Sequence, residues 1–183
     1  MREISLHILD IAQNSVVANA TLVEITVDEN EEADTLTVSV KDNGKGMDED
    51  MVKRVVDPFT TGRTTRKVGL GIPLIKLAAE NTGGTLSLES KPGVGTTLTA
   101  VFGFSSIDRQ PLGDMAETML GMVTSYENVD FLYLHKVNEK EFSFDTREIK
   151  KILGDVSLKE PEVYMWLSGY LKEGEAELTS KEN

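Results

Sequence analysis

The chain has 183 residues, 39% of them apolar and 27% charged, with a formal net charge of −12 and no cysteine. This is enough for one domain with a buried core, with or without an extension, and the excess of acids argues against general nucleic-acid binding or adhesion to anionic membranes. Without cysteine there is no disulfide frame, thiolate metal site or thiol nucleophile, and without a long apolar run or a secretion signal the expected location is cytoplasmic.

Residues 1–19 read as a helix in which Ile4, Ile8, Ile11 and Ser15 form one stripe. His7, Asp10 and Asn14 recur at intervals of three and four and share a face. That face is either solvated or lines a pocket. In a pocket, Asn14 can offer a carbonyl oxygen to a hard cation and Asp10 can orient a water. His7 reads as structural. Residues 21–28 alternate Val23, Ile25 and Val27 with polar side chains, and residues 35–41 alternate Leu36, Val38 and Val40. These are two half-buried strands, antiparallel neighbours across an acidic loop.

The second strand closes on Asp42-Asn43-Gly44-Lys45-Gly46-Met47. This is either a strand-ending turn or a place where glycines let backbone come close to a flat ligand beside an acid that accepts a hydrogen bond. Asp48 then caps a short helix carrying Met51, Val52, Val55 and Val56. Residues 57–71 have neither period. Residues 58–79 contain no acid but include Arg63, Arg66, Lys67 and Lys76, as a surface loop or a phosphate-binding lid would. Gly69-Leu70-Gly71 opens a helix over 72–81, whose free amides favour an anion and whose Pro73 suits the first turn.

Two more strands follow at 85–91 and 96–104, with Leu86 and Leu88, then Leu98, Ala100, Phe102 and Phe104, facing inward. Gly95-Thr96-Thr97 is turn chemistry or a hydroxyl near a phosphate. Residues 105–110 mark a shift in composition. Beyond them come a helix over 113–125 with Met115, Met119 and Met122 on one side, a hairpin over 129–137 and 141–145, helices over 146–153 and 160–172, and a charged tail from 174 expected to fray.

Taken together, these motifs in this order resemble the ATP-binding domain of the GHKL superfamily, shared by gyrase, heat-shock chaperones, histidine kinases and mismatch-repair ATPases. The resemblance covers residues 1–104. Residues 10–18 resemble the N box, which implies that Asn14 coordinates magnesium. Asp10 stands where many members carry a glutamate that activates water, and is one methylene shorter. Residues 42–46 resemble the first glycine box, with Asp42 reading the adenine amino group, Gly44 and Gly46 letting the base approach and Met47 packing near it. Residues 57–61 resemble the kinase F box. Gly69, Leu70 and Gly71 resemble the second glycine box, whose amides meet the phosphates. Gly62 and Arg63 occupy the region where many kinases carry lysine, so Arg63 or Lys67 supplies the charge. In the last box, Thr97 is the pocket-floor hydroxyl.

The fold so implied is α+β: a two-layer α/β sandwich of Bergerat type, its mixed, mostly antiparallel sheet covered on one face by helices, plus a small α/β C-terminal extension. The expected division is an ATP-binding domain at 1–104, a candidate partner-binding extension at 105–174 and a frayed tail at 175–183. The implied ligands are ATP and Mg2+. The implied activity is phosphoryl transfer to a separate protein, as in anti-sigma serine kinases, with no self-phosphorylation on histidine, because little sequence precedes the N box. An ATPase switch and a nucleotide-dependent binding module regulating a partner are the alternatives. No nucleic-acid or membrane partner is expected, and a homodimer is left open.

Overall fold

The computed structural model describes residues 2–57 and 71–180. Helix α1 (Ile4–Val17) buries Ile4, Ile8, Ile11, Ala12 and Ser15, the stripe its periodicity predicts. It has no side-chain cap. Instead its first free amides are satisfied by later chain: Ile4 and Ser5 donate to the carbonyls of Pro111 and Leu112 at 2.9 and 2.8 Å. Strands β1 (Leu22–Asn30) and β2 (Thr35–Asp42) follow, then α2 (Glu49–Val56), where Asp48 accepts from the Met51 amide at 2.8 Å as an N-cap should. Helix α3 (Gly71–Glu80) and the hairpin β3 (Thr85–Lys91) and β4 (Gly95–Gly103) complete the first part of the chain.

Helix α4 (Met115–Ser125) buries Met115, Met119 and Met122, so its methionine stripe is core. Strands β5 (Asp130–Val137) and β6 (Lys140–Asp145) and helix α5 (Thr146–Leu153) precede α6 (Pro161–Thr179). Helix α6 runs further than periodicity predicts. A tail fraying from residue 174 is not what forms, because Leu178 is buried and Glu175 is bonded to the sheet.

The six strands form one mixed sheet in the order β3-β4-β2-β1-β5-β6. Every neighbouring pair is antiparallel except β1 and β5, which run parallel with Ile25 opposite Tyr133. The hairpin beyond the composition shift is therefore built into the same sheet as the earlier strands. Register places Val23, Ile25 and Val27, Leu36, Val38 and Val40, Leu98, Ala100 and Phe102, and Phe131, Tyr133 and Phe144 on one face. They join residues of α1, α3, α4 and α6 in one hydrophobic cluster. The result is the expected two-layer α+β sandwich. No helix among the described residues is long and apolar enough to cross a membrane.

Candidate functional site

The core face of the sheet turns polar at both ends of its strands. At one end Asp42 is opposite Thr96, and Thr96 is opposite Ser90. A side-chain period of two carries the inward sequence Leu36, Val38, Val40 on to Asp42, so an acid arrives where the core stops. Its carboxylate is fixed from two sides. The buried Ser15 hydroxyl of α1 donates to Oδ2 at 2.7 Å, and the Gly44 amide donates to Oδ1 at 2.8 Å. A carboxylate has further lone pairs, which leaves Asp42 able to accept one more hydrogen bond from a ligand. Beside it the hydroxyls of Ser90 and Thr96 lie 2.8 Å apart, and Ser90 accepts the Met47 amide at 2.8 Å.

These groups open on a cleft of about 410 Å³ whose apolar walls include Ile11, Val40, Met47, Ile72, Leu88 and Leu98. Asn14, Ser15, Asp42 and Thr96 are among its polar lining. An apolar slot with a few oriented polar groups on one wall suits a flat heteroaromatic ligand that bears an amino donor.

The turn after Asp42 is held by backbone. Lys45 donates from its amide to the Ala18 carbonyl at 2.8 Å and accepts from the Gly93 amide at 2.7 Å. Asn43 accepts from the amides of Thr21 and Leu22 at 2.8 and 3.0 Å. Gly46 lines the cleft and has φ 71°, and a Cβ there would lie 1.9 Å from the Lys91 carbonyl oxygen. A Cβ on Gly44 would lie 2.8 Å from the Ala18 carbonyl oxygen. Both glycines thus admit close approach, and the chain that approaches them in this fold is the protein's own.

The other expected site residues separate into three groups. Asn14 reaches the cleft, and its side chain makes no hydrogen bond among the described residues. Gly71, at the start of α3, sits against the same part of α1: a Cβ on it would be 3.5 Å from the Asp10 Cβ and 3.9 Å from the Asn14 Nδ2. Asp10 is beside the cleft lining rather than in it, and is ion-paired with Arg2, both about one-third exposed. Thr97 is on the opposite face of the sheet, across from Lys41 and Glu89, so the hydroxyl at the cleft is that of Thr96. Arg63, Lys67, Gly69 and Leu70, with residues 58–61 of the expected F box, lie outside the described residues.

Ser15 and Ser90 are absent from the sequence-derived site, and Thr96 enters it only within Gly95-Thr96-Thr97, where Thr97 carries the hydroxyl role. Thr96 was recoverable by counting back by twos from Leu98. Ser15 lies on the buried stripe of α1, and nothing local marks it as a partner of Asp42. Both histidines are buried and bonded to side chains of the fold. His7 is buried with Nε2 at 2.9 Å from Gln110, and burial holds its pKa below the ordinary value despite that bond. His135 lies at the other polar end of the core face. Its Nε2 is 2.7 Å from Glu29 and its Nδ1 is 2.6 Å from Glu175.

Comparison with known proteins converges on the same region. Residues 2–106 match the family described as Histidine kinase-, DNA gyrase B-, and HSP90-like ATPase. The sensor histidine kinase YvrG of Bacillus subtilis is 31% identical over 93 residues, 49% of this chain and 16% of that kinase. The sensor protein kinase FleS of Pseudomonas aeruginosa is 37% identical over 94 residues, 51% of this chain and 23% of that kinase. The chain thus spans less than a quarter of either kinase. Among solved structures, the MutL ATPase domain of Aquifex aeolicus complexed with ADP shares the fold with a TM-score of 0.55 at 15% identity. That likeness covers 92% of this chain and 69% of the MutL domain, so it extends past residue 106.

Proposed function

This chain belongs to the family of histidine kinase-, DNA gyrase B- and HSP90-like ATPases, and on that premise we propose that it binds ATP with Mg2+ in the Asp42 cleft and transfers the terminal phosphate to a separate protein. The observation that supports this best is the anchored carboxylate. With Ser15 and Gly44 holding Asp42, its free acceptor direction suits the adenine amino group, and the walls around Met47, Ile72 and Leu88 suit the faces of the base. Asn14 is the protein ligand for the cation. No group of three or more His, Cys, Asp or Glu side chains among the described residues is arranged to hold a metal ion. This fits Mg2+ arriving with a nucleotide, where phosphates and water supply most ligands. When bound, the cation neutralises charge on the phosphates.

The phosphate end lies toward Gly71 and α3, with Arg63, Lys67, Gly69 and Leu70 assigned by family resemblance. In the transfer, a hydroxyl oxygen of the partner forms the new bond to the terminal phosphorus as the bond to ADP breaks. Asp10 takes the hydroxyl proton. Arg2 orients Asp10 through Oδ2 and leaves Oδ1 for this proton.

A second reading, an ATPase switch, is favoured by one architectural feature. Strand β2, which lines the cleft, is joined through β1 to β5 and β6 in one sheet. A change at the nucleotide therefore has a continuous element through which to alter the C-terminal region.

Equilibrium binding of ATP and GTP, with and without Mg2+, tests the site. Asp42→Asn is expected to weaken ATP about 10- to 100-fold, the range for a hydrogen bond to a charged group, with little effect on GTP. Equal loss for both nucleotides, or none, rejects the adenine assignment. ATP labelled on its terminal phosphate, incubated with the protein and a cell extract, separates the activities. A labelled protein supports transfer, release of inorganic phosphate without one supports the ATPase, and binding with neither leaves a nucleotide-dependent binding module.

A further inference from the structure

We propose that the outer flank of α6 is a docking surface for a cationic, Arg- or Lys-bearing segment of a partner protein. Trp166 is the only tryptophan of the chain, and it is 54% exposed, beside Tyr170 at 41%. Exposed aromatic pairs of this kind are enriched where proteins meet.

The pair is rigid. The two rings stack with centroids 5.3 Å apart and an interplanar angle of 17°. Tyr170 in turn packs against Phe142 and Phe144 of β6, at 5.5 and 6.1 Å. A surface fixed in this way loses little side-chain entropy when it is covered.

The charge around the pair selects the partner. Helical spacing puts Glu162 four residues before Trp166, Glu173 seven after it, and Glu177 seven after Tyr170. All three glutamates are exposed and share the aromatic flank. Lys172, six residues after Trp166, falls on the other side of the helix. Lys140 approaches the end of α6, but its ammonium contacts the backbone carbonyls of Glu177 and Ser180. The exposed side of the Trp166 ring, among three carboxylates, attracts guanidinium or ammonium groups by cation–π and ionic attraction together. The same carboxylates repel nucleic-acid phosphates and anionic lipid, and the net charge of −12 steers a basic partner inward. The surface belongs to the β6 edge of the sheet and does not depend on the nucleotide reading.

Trp166, as the sole tryptophan, reports on its own surface. The full chain is titrated with a synthetic amphipathic peptide bearing arginine on one helical face and leucine on the other, while tryptophan emission is followed. The expected result is a saturable change in intensity and wavelength that weakens with salt, and none with the same peptide carrying glutamate for arginine. Anisotropy of a labelled copy of the arginine peptide then locates the contact. Trp166→Ala, and separately the combined Glu162→Gln, Glu173→Gln and Glu177→Gln variant, are expected to weaken binding at least about tenfold, the effect of losing a hot-spot aromatic or several charges. Neutralising three exposed acids at the far side of the sheet, on α2 and β3 (Glu49→Gln, Asp50→Asn, Glu89→Gln), should change it less than about twofold, a difference set by screened long-range charge alone. If the remote variant weakens binding as much as the α6 variant, the attraction is only global charge and the proposal is overturned. It is equally overturned if the arginine peptide leaves Trp166 emission unchanged, or if RNA or phosphatidylserine vesicles shift it and the peptide does not.

Discussion

Asp42 owes its orientation to a donor on each side, and this makes Ser15 a positioning residue. Ser15→Ala removes the 2.7 Å bond to Oδ2 and leaves the Gly44 bond to Oδ1 in place. Loss of one such bond is expected to weaken ATP about five- to tenfold in isothermal titration calorimetry, with Ser15→Thr restoring part of it. No change would mean that Gly44 alone suffices. Gly46 acts on the fold. Any side chain there meets the Lys91 carbonyl and must adopt φ 71°. Gly46→Ala is expected to destabilise the protein by about 2 kcal/mol or more, read from the urea midpoint; a midpoint within experimental error of wild type would show that the 91–93 turn gives way freely.

At the scale of elements, α6 is tied to the sheet by His135. Both ring nitrogens face carboxylates, Glu29 of β1 and Glu175 of α6, so the ring bridges two elements as an imidazolium. Burial pulls its pKa down, but the bonds to Glu175 and then Glu29 outweigh it and raise the pKa to about 9. The Tyr133 phenol, pushed up by burial and then by the Glu175 charge, stays neutral and donates to the same carboxylate. A folded pKa above the unfolded value means that the charged form stabilises the fold. That stabilisation is complete below about pH 6.5 and is lost as the pH rises through about 9. It amounts to something on the order of 3 kcal/mol. Denaturant unfolding at the two ends of this window should show wild-type stability falling toward high pH, with His135→Gln less stable at low pH and nearly flat across it. A wild-type curve as flat as that of the variant would mean that the ring is neutral.

The whole molecule is organised by the parallel pairing of β1 with β5. The family match ends at residue 106, yet Phe131, Tyr133, Met119, Leu167 and Leu171 belong to the same hydrophobic cluster as Val23, Ile25 and Ile8. A chain cut after residue 106 would expose the β1 edge and the underside of α1, an invitation to edge pairing and aggregation. Such a fragment is expected to be aggregation-prone and to lack a cooperative thermal transition by circular dichroism. A monomeric fragment with a sharp transition would show that the later strands and helices are a dispensable layer.

The sequence by itself determined the local pieces. Alternation identified the strands and turned Asp42 inward, three- and four-residue spacing put Ile4, Ile8 and Ile11 into the core, and Asp48 announced α2. These follow from the fixed periods of helix and strand, which act over a few residues. Only the tertiary structure decided that β5 lies beside β1, that Ser15 holds Asp42, that Arg2 pairs with Asp10, and that α6 stays helical to Thr179. The reason is separation. Glu29 and His135 are 106 residues apart, and Ser15 and Asp42 are 27 apart; no local period reports such a contact. Thr96 lies between the two cases, since the alternation along β4 already pointed it toward Asp42, while only the pairing of β2 with β4 put Asp42 there to meet it.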